Sequence, residues 1–542
     1  MRVALIIFML TWIFTLARGW AEETPKTPRH PVPPLFAGAD KCMACHNGLA
    51  ARSGLDVSIG SDWQASMMAN ASRDPYWHAA VRRETMDHPA AQAHIQNECA
   101  ACHMPMARFQ ARAEGREGAV FAHIPILPTR SESDRLAADA VSCVMCHQIQ
   151  KQKLGTEASF TAGFVVDDRK QPGLRPVFGP FTVDAGRKRV MSSASRFVPE
   201  QGRHVQDSAL CGSCHTLYTN TLGPGGEVRG RFPEQVPYLE WRHSGYAEEK
   251  SCQSCHMPQL QELTPITSVL ALPRDHFSRH VFRGGNFFML NMLNQNAEKL
   301  AVAAPPEKLA HTATETVKHL QTAAARLSIE QVSLTDGRLE ADVFLINLAG
   351  HKLPTAYPSR RVWIHLSVRD QDGRVVFESG APRPDGSIAG NDNDRDGGLF
   401  EPHYIRIESA EQVQIYEAIM VDPNDRVTTG LLSAIRLVKD NRVLPSGFDK
   451  NTAPEDVAAR GRAKADSDFR GGSDRIRYSV NLEGAQGPFS IKAELWYQPI
   501  AYRWARNLGQ RQAPEIEKFT SLYNTHSKDS AVVLAGAVKT LK

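Results

Sequence analysis

The sequence predicts an α+β, multidomain protein: a mainly helical, loop-rich N-terminal region, then an all-β sandwich, then C-terminal helices. Three observations lead there. Cys-x-x-Cys-His occurs five times between Cys42 and His256, on short helical pieces joined by loops rich in Gly, Pro and Arg. After Arg326 the apolar period changes from helical to two, with Asp-Gly pairs where turns are needed. From Pro514 to Leu541 the pattern reads as one or two helices. A chain of 542 residues is long enough for two or more domains.

Residues 1–21 read as a signal peptide. Arg2 is the positive start, Val3 to Ala17 is an apolar run of 15 residues, and Gly19-Trp20-Ala21 offers small residues for cleavage near Ala21. Fifteen residues are short for a membrane span. The expectation is a mature protein that is periplasmic or exported. Residues 22–36, with five prolines between Glu22 and Pro34, read as a disordered linker.

Residues 37–300 carry the five motifs. Their first cysteines lie 57, 44, 68 and 41 residues apart, too irregular for a solenoid. Asp74-Pro75 starts a helix running through Tyr76 to Met86, with proline at its first position. Pro105 and Pro258, two residues after their motif histidines, end the motif helices. Residues 301–326, opening at Pro305-Pro306, read as a linker helix. Residues 327–500 read as the sandwich. Leu339, Ala341, Val343 and Leu345 alternate with other residues, as do Val362, Ile364, Leu366 and Val368. So do Ile476, Tyr478 and Val480, then Phe489, Ile491, Ala493, Leu495 and Tyr497. Asp336-Gly337 and Asp372-Gly373 mark hairpin turns. Residues 501–542 complete the chain as a helical tail.

Cys-x-x-Cys-His is the attachment signature of c-type haem. On a helical turn, positions i, i+3 and i+4 share a face. The thiols of Cys42 and Cys45, Cys99 and Cys102, Cys143 and Cys146, Cys211 and Cys214, and Cys252 and Cys255 are then placed to bond the two vinyl groups of one haem edge. His46, His103, His147, His215 and His256 are placed to reach the iron as proximal ligands. A redox dithiol or half a zinc site also uses Cys-x-x-Cys, but neither requires the following histidine. At this composition about 0.01 copies of the pentapeptide are expected by chance. All ten cysteines fall inside the motifs, leaving none for disulfides. Five covalent haems are expected.

The sixth ligand decides potential and reactivity. Fifteen histidines lie outside the motifs. His204 precedes the fourth motif by seven residues, and His280 stands before Gly284-Gly285, where a flat cofactor can approach the backbone. His276, His123, His88 and His94 complete the histidine candidates, and His78, His243 and His351 stand behind them as further ones. Met67 and Met68 are thioether candidates, which would raise a haem's potential over a bis-histidine one. Asp392, Asp394 and Asp396, with Gly397, have the spacing of the first half of a calcium loop, although position 12 is His403. Ca2+ is therefore a second candidate cofactor. Arg360-Arg361 is a candidate for meeting haem propionates.

On these residues the first two-thirds resembles bacterial multihaem c-type cytochromes of the superfamily that includes the tetrahaem electron carrier of ammonia oxidisers. That superfamily often has Trp-x-x-Ser-x-His after an attachment motif, its histidine serving as a distal ligand. Here the element is Trp63-Gln-Ala-Ser66-Met67-Met68, with methionine in place of histidine, and Glu240-Trp241-Arg-His243-Ser244 is a related element. The C-terminal part is similar to the sandwich attached to many such cytochromes, with Gly350-His351-Lys352-Leu353-Pro354-Thr355 its most recognisable piece. The resemblance implies electron transfer with redox partner proteins, other cytochromes or a membrane quinone-linked complex, and peripheral membrane association. The alternative is a multihaem oxidoreductase acting on a small inorganic nitrogen or sulfur compound. The Cys-x-x-Cys-Lys variant of one nitrite-reductase class is absent. With a net charge of +4 and no Lys/Arg run that suggests nucleic-acid binding, nucleic acid is not an expected partner.

Overall fold

Short helices alternate with long loops up to residue 300. The computed structural model describes residues 32–542; the signal peptide, its cleavage position and most of the 22–36 linker lie outside the described residues. α1 spans Ile59–Gln64 and α2 spans Pro75–Asp87. α2 begins where Asp74 caps it. That carboxylate accepts from the N–H groups of Tyr76 and Trp77, at 2.8 and 3.2 Å, and Pro75 takes the first helical position. α3, Gln92–His103, carries the second motif on its last turn, and Pro105 opens a separate helix instead of extending it. α4 (Ala185–Ser195), α5 (Pro237–Arg242), α6 (Phe287–Gln295) and α7 (Pro306–Ala323) follow. A two-residue ribbon pairs Thr264–Pro265 with Pro273–Arg274.

The chain then becomes β-rich. β1 (Ala325–Thr335) and β2 (Arg338–Asn347) form a hairpin whose turn residues Asp336 and Gly337 both have positive φ, the left-handed turn that Asp-Gly signals. Next come β3 (Arg361–Arg369), β4 (Val375–Ser379), β5 (Arg406–Ile407) and β6 (Ile415–Tyr416). β7 (Ala418–Val421), β8 (Val427–Thr428), β9 (Arg436–Asp440), β10 (Ser473–Asn481) and β11 (Phe489–Gln498) follow. α8 (Tyr502–Leu508), α9 (Pro514–His526) and β12 (Val532–Leu541) end the chain. One sheet has the order β4-β3-β11-β12 with β6 on β3; a second has β5-β10-β2-β1; a third has β8-β7-β9. The period-two residues of β2, β3, β10 and β11 are all buried and join one apolar cluster between the two larger sheets.

The helical tail is corrected at its end. Residues 532–541 are a strand, paired antiparallel with β11 in the register Ala493↔Ala537. Alanines favour helix, but Val532, Val533, Val538 and Thr540 are β-branched, and the open edge of β11 supplies a full ladder of partners.

The N- and C-terminal regions share their cores. Tyr76 and Ala79 of α2, and Phe287, Phe288, Met289, Met292 and Leu293 of α6, belong to the cluster of the β-rich region. Trp77 and Val81, from another face of α2, belong to the cluster of the motif region. α2 is also clamped to α9 by a two-pronged Arg82–Glu515 pair, 2.8 Å at each contact. Among the described residues no helix is long and apolar enough to cross a membrane.

Candidate functional site

A cavity of about 720 Å³ runs through the motif region and is lined by residues of all five motifs, the fifth through Gln253 and Ser254. Helical turns orient each motif. His46 and His215 donate their backbone N–H to the carbonyls of Cys42 and Cys211, at 2.9 and 2.8 Å, and Cys143–His147 and Cys252–His256 are single helical turns. Both cysteines and the histidine of each motif thus sit on one side.

Four motif histidines donate Nδ1–H to a backbone carbonyl. His46 bonds Ile266 at 2.6 Å, His103 bonds Ala71 at 3.1 Å, His147 bonds Phe178 at 2.5 Å, and His256 bonds Arg283. This bond fixes the tautomer and leaves Nε2 unprotonated, as an iron ligand must be. Burial lowers the pKa of His46 and His147 and brings His103 and His215 down to about 4. Trp77 stacks on the His103 ring at 4.3 Å and holds its plane.

Two of these rings face a second histidine. His147 and His280 have ring centres 6.3 Å apart at 22°, and His256 and His351 have theirs 6.2 Å apart at 17°. Two metal–imidazole bonds of about 2.0–2.1 Å, plus about 1.1–1.2 Å from each nitrogen to its ring centre, give about 6.2–6.6 Å. Each gap therefore has the width of one iron bound by two imidazoles. His280 donates Nδ1–H to Ser278 at 3.1 Å and His351 to Lys352 at 3.0 Å, so both keep Nε2 free. Burial, with His147 nearby, pulls His280 down to about 3; burial also lowers His351.

The other sixth-ligand candidates divide. His94, His276, Met67 and Met68 line the cavity. His204, His123 and His88 do not, and each is engaged elsewhere. His204 Nε2 bonds the Ile149 carbonyl at 2.8 Å while its ring packs on Phe178, one layer behind His147. His123 bonds Asp134 at 2.8 Å, and His88 bonds Ser433 at 3.2 Å. His351 was the residue that sequence reasoning left out of its first rank. It lies on the loop between β2 and β3, and its only signal was the Gly-His-Lys-Leu-Pro-Thr run.

Met67 also packs against Ala65, Leu290, Ala304 and Leu309, which leaves Met68 as the better-placed thioether. If it is a ligand, Met68→His is expected to lower one haem's potential while keeping it low-spin, and Met68→Ala to open an iron to carbon monoxide. Met67→Ala is expected to change stability alone. Unchanged spectra and potentials in both Met68 variants would make the residue a wall of the cavity and nothing more.

The β-rich region contributes Tyr357, Ser359, Arg360, Leu431, Leu432, Pro499 and Ile500 to the same cavity. Of the arginine pair only Arg360 reaches it. Arg361 is buried against Asp394, Gln498 and the Gly386 carbonyl. That contact also corrects the calcium reading. Asp394 is held by Arg361 at 2.8 Å, Asp392 by Arg395 at 2.6 Å, and Asp396 accepts the Gly398 N–H at 2.8 Å, so the three carboxylates do not converge. His403, at the twelfth position, bonds Asp466 at 2.9 Å in a separate buried network with Gln414 and Asp474. On the cavity wall Glu234 is pushed up to about 8 by burial and by the nearby Glu84.

The motifs also touch one another. The thiols of Cys42 and Cys143, of Cys102 and Cys214, and of Cys211 and Cys252 lie beside one another, each pair near enough to shift the partner's ionisation, and Cys146 senses Cys214 at longer range. The order of neighbours is one, three, four, five, with motif two joined to four.

Neither protein-family models nor curated proteins give a match. Among solved structures the chain is similar to a penta-heme cytochrome c552 from Thermochromatium tepidum, at 15% identity and a TM-score of 0.53. The likeness covers 94% of this chain and 100% of that one. The chain therefore has the overall fold of that cytochrome, through the motif region and the β-rich region together.

Proposed function

We propose that this protein is an exported c-type cytochrome that carries five covalent haems and passes electrons between redox partners. The observation that carries the reading is the pair of facing histidines, His147/His280 and His256/His351, each separated by the width of one ligated iron. Bis-histidine ligation leaves no open site at those irons and suits electron transfer. The bound haems supply one-electron iron chemistry; the chain supplies spacing, ligands and a dry surround. The neighbour order of the motifs supports a continuous route through the cavity. Partners are other cytochromes or a quinone-linked membrane complex, with peripheral membrane association.

A second reading, an oxidoreductase for a small inorganic nitrogen or sulfur compound, draws on one feature. Among the described residues His46, His103 and His215 face no second histidine at ligating separation, while Arg360 and Glu234 line the cavity. One preparation tests both readings. The pyridine haemochrome assay should return five haems per chain, retained on denaturation, and low-temperature magnetic circular dichroism should find at least four low-spin. Fewer than five haems in fully matured protein would sink the pentahaem reading. Two or more high-spin haems would favour the enzyme.

A further inference from the structure

The ribbon of Thr264–Pro265 and Pro273–Arg274 holds a loop whose inner end is tied to the first motif and whose outer end is bare. At the inner end the Ile266 carbonyl accepts Nδ1–H of His46 at 2.6 Å. The Ser268 N–H and hydroxyl both donate to the Cys45 carbonyl, at 2.8 and 3.0 Å. At the outer end Val269, Leu270 and Leu272 are 43%, 56% and 39% exposed. Leu270 also sits at φ 50°, a left-handed conformation that L residues other than Gly, Asn and Asp rarely adopt. Exposing a leucine and holding it in that conformation are both unfavourable. Such strain held on a surface is a mark of a functional contact.

The surround is basic. Arg187 of α4 donates to the Leu270 carbonyl at 2.9 Å, and Arg274 to the Thr182 carbonyl at 3.0 Å. Lys188 and Arg189 follow on α4 and take part in no ion pair among the described residues; Val190 beside them is 42% exposed. The acids nearby are Asp184, which pairs with Arg187, the exposed Asp275, Glu262 at the foot of the ribbon, which accepts from Ser53, and Asp40, which pairs with Lys41; Arg187, Lys188, Arg189, Arg274 and Lys41 outnumber them.

We infer that this apolar tip and its basic rim are the docking site of an acidic one-electron redox protein, and that electrons cross there to or from the haem on His46. The inference rests on the electron-transfer reading and adds where and with what the exchange occurs. The partner's chemistry follows from the rim: an acidic surface is attracted, and the leucines provide the apolar centre that an interface needs. A protein is favoured over a lipid surface because the tip leads through two groups of hydrogen bonds to the iron ligand itself.

The probe is a plant-type ferredoxin, a low-potential [2Fe–2S] protein taken here as the acidic partner. In the test one electron leaves the reduced cluster and converts one ferric haem to ferrous; no bond or proton is transferred. Stopped-flow reduction of the holoprotein should slow as salt rises from about 20 to 300 mM. Lys188→Glu with Arg189→Glu should cut the second-order rate by about tenfold at low salt, and adding Leu270→Asp should cut it further. Calorimetry with oxidised ferredoxin should show the same loss of binding. Reduction by dithionite and the haem count should not change. Equal rates and binding in wild type and variants would overturn the proposal. So would wild-type protein that ignores ferredoxin yet sediments with vesicles of anionic phospholipid through these same residues, since the surface would then be a membrane contact. A haem count below five would instead count against the underlying reading.

Discussion

Replacing His351 with alanine is expected to convert one haem per chain from low-spin to high-spin and to let it bind carbon monoxide when reduced. The ring faces His256 at 6.2 Å and within 17° of parallel, and its Nδ1–H is committed to the Lys352 carbonyl, so Nε2 is the nitrogen left free to bind. Alanine removes that nitrogen and leaves space a diatomic ligand can enter. His351→Met should behave differently. It should keep the haem low-spin and raise its potential by on the order of 100 mV, a small part of the roughly 0.8 V over which axial ligands move haem potentials. His280→Ala should open the haem on His147 in the same way, and the double variant should open two. Low-temperature paramagnetic resonance distinguishes these outcomes. Five unchanged haem signals in His351→Ala would mean that the two rings face each other through packing alone, with the sixth position filled from elsewhere.

What the sequence made legible is whatever depends on neighbours along the chain. Cysteines and histidine at i, i+3 and i+4 are a local pattern, and so are the Asp74-Pro75 helix start and the Asp336-Gly337 turn. The alternation of Leu339, Ala341, Val343 and Leu345 was enough to name the buried face of β2. What was not legible depends on partners far away in sequence. His204 has the better sequence neighbourhood for a ligand than His351, seven residues from a motif instead of 95 from the fifth motif's histidine. Yet the Ile149 carbonyl takes its Nε2. The Asp392, Asp394 and Asp396 spacing suits a cation, but the cation that meets Asp394 is the guanidinium of Arg361, brought in from β3. The last strand shows the same limit: residues 532–541, read as helix, follow β11 because its edge is open to them, a fact of tertiary structure. The motif region and the β-rich region also read as separate domains, because their patterns differ, whereas α2 contributes to both cores and α6 of the motif region to that of the β-rich region.

That bridging makes the most severe single substitution one that lies far from any motif. Asp440→Ala is expected to destabilise the protein by about 3–5 kcal/mol, the cost of leaving a buried charge unpaired, and to loosen His351 from its iron. Asp440 is 1% exposed and accepts from Lys352 at 2.6 Å and from two nitrogens of Arg442 at 2.9 and 2.7 Å. Arg442 also pairs with Glu240 of α5 at 2.9 Å, and Glu240 accepts the backbone N–H of Lys352 at 3.2 Å and the Thr355 hydroxyl. The loop that carries His351 is thus pinned on both sides of Lys352 to α5, a helix of the motif region. Burial pushes the Asp440 carboxyl up, but Arg442 and Lys352 outweigh it and hold it well below the usual carboxylate range. A depressed carboxyl contributes its full stabilisation above its unfolded value of about 3.9 and loses it only as pH falls toward the folded value. At neutral pH the network is therefore intact, and the wild-type protein should resist acid to below pH 4 at this site. Asp440→Ala leaves Lys352 and Arg442 facing each other with Glu240 as the one remaining acid of the network, which is why the loss should be large. Replacing the pair together, Lys352→Met with Asp440→Leu, removes the orphaned ammonium and should recover part of the stability. Denaturant melts give the energies, and the spin state of the haem on His256 gives the position of His351. If Asp440→Ala changes the melt by less than about 0.5 kcal/mol, within the range of an ordinary surface substitution, and leaves that haem low-spin, the network neither holds the two regions together nor places the ligand.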